Sequence, residues 1–177
     1  MPTRMEEMAS KGMGVAKEIK ATFEGLHGVF KKLMEEHGEV TALLLRVKGS
    51  SDVEVRRNLF PKIHAELLSH EKGELADVYP VFRENAELAT FADAHDREAG
   101  EIERMLDELS ALPYADEGWG GKFERLVELV SHHVEEEEGE YFPKAEKILG
   151  EEKAEEMLPR FEATKEKVLN EVISQPH

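Results

Sequence analysis

Residues 67–80 read LLSHEKGELADVYP, and residues 129–143 read LVSHHVEEEEGEYFP. When the two segments are aligned on His70 and His133, each has a glutamate at the fourth following position, an aromatic residue at the ninth and a proline at the tenth. Glutamate is common in this chain, but proline fills only 7 of the 177 positions, so the shared proline is the more informative match. We interpret the two segments as an internal repeat.

The apolar residues elsewhere in the chain follow the period of α-helices. The first stripe runs through Phe23, Phe30, Leu33 and Val40, at helical steps. No segment alternates with a period of two for long enough to predict a strand, so the predicted fold class is all-α. Predicted helical segments cover roughly residues 15–47, the stretch from a capping box at Ser51 and Glu54 to about Pro80, residues 86–112, the stretch from the 113–121 loop to Pro143, and residues 151–173.

The length and composition limit the kinds of protein that this chain can be. A length of 177 residues fits one domain, with a core at about residues 15–149 and a C-terminal helix at 150–177. Acidic residues outnumber basic residues by 39 to 23, and a net charge of −16 repels phosphate backbones and anionic lipids. We therefore expect neither nucleic acid nor a membrane as a partner.

The chain contains no cysteine, which excludes disulfide bonds, thiolate metal sites and cysteine nucleophiles. This composition fits a reducing compartment. The N-terminal residues include no apolar stretch of signal-peptide length. We therefore expect a soluble, cytoplasmic protein.

Four histidines interrupt the apolar stripes, one in each of four successive predicted helices: His37, His70, His95 and His133. A buried histidine is costly unless its ring nitrogens are satisfied. One such residue is usually explained by a hydrogen bond within the core, but four on four helices favour a shared site.

The repeat places a glutamate one helical turn after His70 and after His133, on the same helix face. Imidazole and carboxylate ligands without sulfur suit iron, manganese or zinc. Carboxylates can also bridge two ions in a helical bundle. These residues therefore predict a metal site between the helices.

Over roughly residues 33–149 the chain resembles the hemerythrin-like, HHE cation-binding family. The resemblance rests on EEH ending at His37, HEKGELADVYP beginning at His70 and HVEEEEGEYFP beginning at His133. It implies an up-down-up-down four-helix bundle, to which this chain adds N-terminal and C-terminal helical segments. It also implies a non-haem centre of two iron ions with two bridging glutamates. The metal ligands implied by the resemblance are His37, His70, Glu74, His95, His133 and Glu137.

The chain departs from the family pattern at Ala99, where oxygen-carrying hemerythrins have a second histidine one turn after the third-helix ligand. Glu71 is a candidate for the missing metal ligand, since His-Glu-x-x-Glu sites in the wider family are similar. Glu98 and water are the alternatives for this position. An open position on one iron favours reactivity over reversible carriage of oxygen.

The sequence supports three hypotheses about function. The first is a non-enzymatic diiron protein that binds or senses oxygen, peroxide or iron, with a small diatomic or peroxide molecule as its ligand. The second is a diiron enzyme that detoxifies peroxide or nitric oxide, or assists in the repair of iron centres. The third is a metal-free helical interaction module. Because one bundle supports many functions, the sequence leaves the enzymatic role and the oligomeric state open.

Overall fold

The computed structural model describes residues 25–174, and every regular element in this part of the chain is helical. The all-α prediction is confirmed. The predicted N-terminal helical segment, with the part of the first predicted helix before residue 25, lies outside the described residues. The elements are α1 (Gly28–Lys48), α2 (Val53–Asp77), α3 (Tyr79–Arg83), α4 (Ala89–Ala111), α5 (Trp119–Glu136), a π-helical turn (Glu137–Tyr141), α6 (Phe142–Leu149) and α7 (Glu151–Ile173).

The four long helices α1, α2, α4 and α5 form the predicted up-down-up-down bundle. Helix α1 packs against α2 and α5, and α4 packs against α5 and α2. Short connections at 49–52 and 112–118 reverse the chain direction between neighbours. None of the helices within residues 25–174 is long and apolar enough to cross a membrane.

Helix α7 packs along the groove between α1 and α2, which it approaches closely at two glycines. Gly28 has a positive φ of 53°, and a Cβ there would lie 2.2 Å from the carbonyl oxygen of Ala154. A Cβ on Gly73 would lie 2.6 Å from the Phe161 ring. The glycines of α1 and α2 therefore permit the C-terminal helix to dock.

Helix boundaries differ from the sequence prediction around both repeat segments. Helix α2 ends at Asp77, before the predicted end at Pro80, and a new helix begins at Tyr79. Pro143 likewise lies in the first turn of α6. Proline has no N–H donor but is tolerated in the first turn of a helix, so each aromatic–proline pair starts a helix. The start of α2 also differs from the prediction, since Asp52 caps it by accepting a bond from the Glu54 amide.

A buried polar layer divides the apolar core into two clusters. One cluster contains Phe30, Phe82 and Phe142, and the other contains Phe60 and Trp119. Along α1 and α4, the histidine lies between a stretch that contributes to one cluster and a stretch that contributes to the other. After His70 on α2 and His133 on α5, the buried residues of the Phe30 cluster begin just beyond the helix, at Val78 and Tyr141. The core therefore shields the polar layer from water on two sides.

Gly73→Ala is expected to destabilise the protein by about 1–3 kcal/mol, because the added methyl group overlaps the Phe161 ring. Gly100→Ala is the matched control, since Gly100 also lies within a helix but has no atom within 4 Å of the position that a Cβ would take. This substitution is expected to be neutral or to stabilise the helix by roughly 0.5–1 kcal/mol. Chemical denaturation measures both; equal effects of the two substitutions would contradict the tight docking of α7.

Candidate metal centre

The four predicted histidines converge inside the bundle. His37, His70, His95 and His133 lie on α1, α2, α4 and α5, and each is at most 5% exposed. The ring centroids of His37 and His70 are 5.0 Å apart, and those of His95 and His133 are 5.2 Å apart. The imidazoles therefore form two neighbouring pairs.

The two repeat glutamates link these pairs. Glu74 Oε1 lies 3.0 Å from His70 Nε2 and 3.4 Å from His95 Nε2. Glu137 Oε1 lies 3.0 Å from His133 Nε2 and 3.3 Å from His37 Nε2. Each glutamate thus contacts one histidine of each pair, which is the arrangement that a bridging carboxylate requires.

A third buried carboxylate makes the two halves of the centre unequal. Glu71 lies 3.1 Å from His95 Nε2 through Oε2 and 3.3 Å from His133 Nε2 through Oε1. The corresponding position in the other repeat segment is Val134, which cannot coordinate a metal. Among the described residues, possible ligand atoms within 4.8 Å of one another form two buried groups: Glu71, Glu74, His95 and His133, and His37, His70 and Glu137. A third group, which is more exposed, contains Glu98, His132 and Glu136.

Carboxylates outside the two buried groups orient three of the imidazoles. Nδ1 of His70 lies 3.0 Å from Glu36, and Nδ1 of His133 lies 2.6 Å from Glu98. Nδ1 of His37 lies 3.1 Å from Glu138. Such contacts direct the Nε2 atoms towards the centre, as partners of metal-binding histidines commonly do.

The aromatic residues of the repeat also contact the histidines. The Tyr79 ring stacks on His95 with the centroids 3.7 Å apart, and the Phe142 ring stacks on His37 at 5.9 Å. The Tyr79 hydroxyl donates a 2.5 Å hydrogen bond to Glu137 Oε2. The helix restarts at Tyr79 and Phe142 therefore place equivalent rings against both halves of the centre.

The charges within the centre depend strongly on one another. Burial lowers the pKa of His37, but Glu137 and Glu138 outweigh this effect and raise it to about 9. Burial is likewise outweighed at His95, where Glu74 and Glu71 raise the pKa to about 10. Burial and the nearby charge of Glu137 raise the pKa of Glu74. The metal-free centre therefore favours protonated imidazoles as the counter-charge to its carboxylates.

Several buried nitrogen and oxygen atoms of the centre lack a well-formed hydrogen bond within the described residues and could bind a cation. Each of the four Nε2 atoms lies 3.0–3.4 Å from a carboxylate, but none of them makes a hydrogen bond of good geometry within residues 25–174, and the same holds for both oxygens of Glu74. Each unsatisfied buried polar group costs about 1–3 kcal/mol. Imidazole nitrogens and carboxylate oxygens that face one another are the donor set that iron, manganese or zinc accepts. The residues therefore fit a metal centre.

The structure separates Glu98, one alternative for the position left by Ala99, from the predicted ligands. Its side chain lies against His133 Nδ1, outside the two buried groups and within the third group. The Nδ1 partners Glu36 and Glu138 were missed, because they lie in acidic runs that resemble solvated surface. The seven predicted ligands lie together in the two groups: His37, His70, Glu71, Glu74, His95, His133 and Glu137.

Comparison with known proteins gave two matches of interest. A family model described as the hemerythrin HHE cation-binding domain matches residues 27–145. An uncharacterized hemerythrin-like protein of Schizosaccharomyces pombe is 26% identical over 138 residues. That alignment covers 75% of this chain and 66% of the relative, so the chain spans slightly less than two thirds of the length of the relative. No solved structure matched the chain.

The metal-free protein is expected to lose stability as the pH rises from 7 to about 9.5. The raised pKa values of His37 and His95 provide stability that is complete below the unfolded value of about 6.5 and is lost as the pH passes through about 9 and 10. Thermal melting of the chelator-treated protein should show a decrease of several degrees, at about 2–4 °C per kcal/mol for a chain of this size.

The His37→Gln variant should show a smaller decrease over the same pH range. The control is His132→Gln, since the His132 side chain is 64% exposed and lies outside the two buried groups. This variant should follow the unaltered protein. A melting temperature that does not change with pH, or increases, would contradict the buried charge balance.

Proposed function

Because this chain belongs to the hemerythrin HHE cation-binding family, we propose that it is a non-haem diiron protein. The observation that carries this proposal is the double contact of Glu74 and Glu137, each of which reaches one histidine from each imidazole pair. Two shared carboxylates between two imidazole pairs suit two neighbouring ions better than one. The family relationship supports iron as the metal.

The residues divide naturally between two ions. His95, His133 and Glu71 would hold one ion, and His37 and His70 would hold the other, with the two repeat glutamates shared. The second ion would have fewer protein ligands, because Val134 stands where the other repeat segment has Glu71. When bound, iron would supply reversible binding or redox activation of a small oxygen-containing ligand.

The space beside the histidines favours a small ligand. His37, His70 and His133 contribute to the wall of a cavity of about 10 Å³, which is at the lower limit for one water molecule. Its lining combines apolar side chains, such as Val40 and Val130, with glutamates, such as Glu36. The small volume favours small molecules over larger substrates.

We place binding or sensing of oxygen, peroxide or iron first among the possible functions, without an enzymatic step. The second candidate is an enzyme that detoxifies peroxide or nitric oxide, or assists in the repair of iron centres. Tyr79 favours this second candidate, because its hydroxyl donates a hydrogen bond to Glu137 Oε2 beside the centre and so positions one of the shared carboxylates. Burial and the charges of Glu137 and Glu74 keep the pKa of this hydroxyl well above the usual value, so it remains a neutral hydrogen-bond donor.

Charge and composition support our proposals for the partners and the cellular location of the protein. A net charge of −16 supports neither nucleic acid nor an anionic membrane as a partner. A chain without cysteine suits the reducing cytoplasm, which we propose as its location.

His70→Ala and His133→Ala are expected to lower the bound iron from about two ions per chain to less than one, since each substitution removes a ligand next to a shared carboxylate. Elemental analysis after anaerobic reconstitution with ferrous iron measures this change. His132→Ala is the matched control for His133→Ala, because it removes the adjacent imidazole, which also has a glutamate one turn later but belongs to the separate, more exposed group with Glu98 and Glu136. Equal iron content in all three variants would contradict the assignment of the centre.

The reconstituted protein should distinguish the two candidate functions. A binding or sensing protein is expected to show a visible absorption change with oxygen or peroxide that reverses when the ligand is removed. An enzyme is expected to consume many equivalents of peroxide or nitric oxide without losing iron. Tyr79→Phe should slow such turnover and alter its pH profile, because Glu137 loses the hydrogen bond that positions its carboxylate.

A further inference from the structure

Helix α7 lies beyond the family match at 27–145 and brings a lysine to the edge of the metal centre. Lys165 Nζ lies 3.0 Å from Glu36 Oε2 on α1 and 3.1 Å from Glu66 Oε2 on α2. The Lys165 side chain is only 14% exposed. A single ammonium group therefore joins two carboxylates across the groove between α1 and α2.

These carboxylates belong to the wall of the cavity beside the centre. Glu36 and Glu66 line this cavity together with His37, His70 and His133. Glu66 is the one lining residue that is not buried, so it marks the end of the cavity that faces solvent. The ion pairs of Lys165 consequently lie at the solvent end of the cavity, and the histidines lie at the inner end.

Glu36 connects the lysine to a predicted metal ligand. Its Oε2 contacts Lys165, and its Oε1 lies 3.0 Å from His70 Nδ1. Burial opposes the charge of Glu36, but His70 and Lys165 outweigh this effect and lower its pKa to about 2. The carboxylate is thus held as an anion between the surface lysine and the centre.

The backbone of α7 is fixed around this position. The hydroxyl of Thr164 donates a hydrogen bond to Asp77 on α2. The Phe161 ring fills the space above Gly73, also on α2. Because these contacts hold the helix in place, the solvent end of the cavity can open by rotation of the Lys165 side chain alone.

We propose that Lys165 gates the passage of divalent cations to the metal centre. This inference rests on the proposed function, because it assumes a centre that takes up metal. The ammonium group occupies the position between two carboxylates where an incoming cation would first bind. When the lysine side chain rotates away, Glu66 and Glu36 are left as an anionic pair that accepts the cation and leads it towards His70.

The test uses Co²⁺ as a coloured probe with the full chain, and compares the unaltered protein with Lys165→Met and Lys165→Arg. Stopped-flow absorption measures uptake, and a chelator in excess measures release. Lys165→Met is expected to speed both processes roughly tenfold without changing the final stoichiometry, which corresponds to a barrier lower by about 1.4 kcal/mol. Lys165→Arg keeps the charge and should remain within about twofold of the unaltered protein, a difference under 0.5 kcal/mol.

Lys122→Met is the matched control for the change in net charge. Lys122 forms an ion pair of 3.1 Å with Glu108, between α4 and α5, and neither residue lines the cavity. The Co²⁺ uptake and release rates of Lys122→Met should equal those of the unaltered protein. Melting curves of all variants identify any loss of folded protein.

Three results would overturn the proposal. Unchanged or slower rates in Lys165→Met would show that the lysine does not limit passage. A lower final stoichiometry in Lys165→Met would show that it supports a ligand instead. Failure of the unaltered protein to bind metal would refute the proposed function and the gate with it. Normal metal binding with equal rates in the unaltered protein and Lys165→Met would refute the gate alone.

Discussion

The structure depends on the need to neutralise charge inside an apolar bundle. Four imidazoles and three carboxylates lie buried at one level of the core, where an isolated charge costs several kcal/mol. The histidines and glutamates therefore have to face one another, and each long helix has to contribute at the same height. This requirement fixes the relative positions of α1, α2, α4 and α5 more strongly than apolar packing, which tolerates changes in side-chain shape.

Regular α-helix is interrupted close to both of the glutamates that contact two histidines, Glu74 and Glu137. Val78 separates α2 from α3, and a π-helical turn begins at Glu137. These interruptions place Tyr79 and Phe142 against His95 and His37. Local departures from regular helix geometry are common at functional sites. Because of these interruptions, one short segment supplies both a predicted ligand and an aromatic ring that packs on a histidine of another helix. Glu74 and Tyr79 do so at His95, and Glu137 and Phe142 do so at His37.

Much of this arrangement follows from local sequence patterns. The all-α class and the extent of α7 were predictable from helical periodicity, and the seven clustered residues were predictable from the repeat together with the family resemblance. The π-helical turn was not predictable, because the acidic run in which it lies carries no periodic pattern that marks it. In the structure its residues Glu137 and Glu138 contact the two ring nitrogens of His37. The ion pairs of Lys165 were also not predictable, since its partners Glu36 and Glu66 lie 129 and 99 residues before it in the sequence. A lone lysine on a charged helix carries no pattern that distinguishes it from solvated neighbours.

The division of the core into two apolar clusters affects how sequence change can accumulate. Phe60, Trp119 and Phe123 pack with one another at one end of the bundle, and their cluster shares no buried residue with the cluster around Phe30 and Phe161. A change in volume at the Trp119 end can therefore be absorbed by its own neighbours. At the other end, α1, α2 and α7 are packed together, so substitutions there must be compensated across three helices. We expect the Trp119 end to diverge faster during evolution than the end that α7 covers.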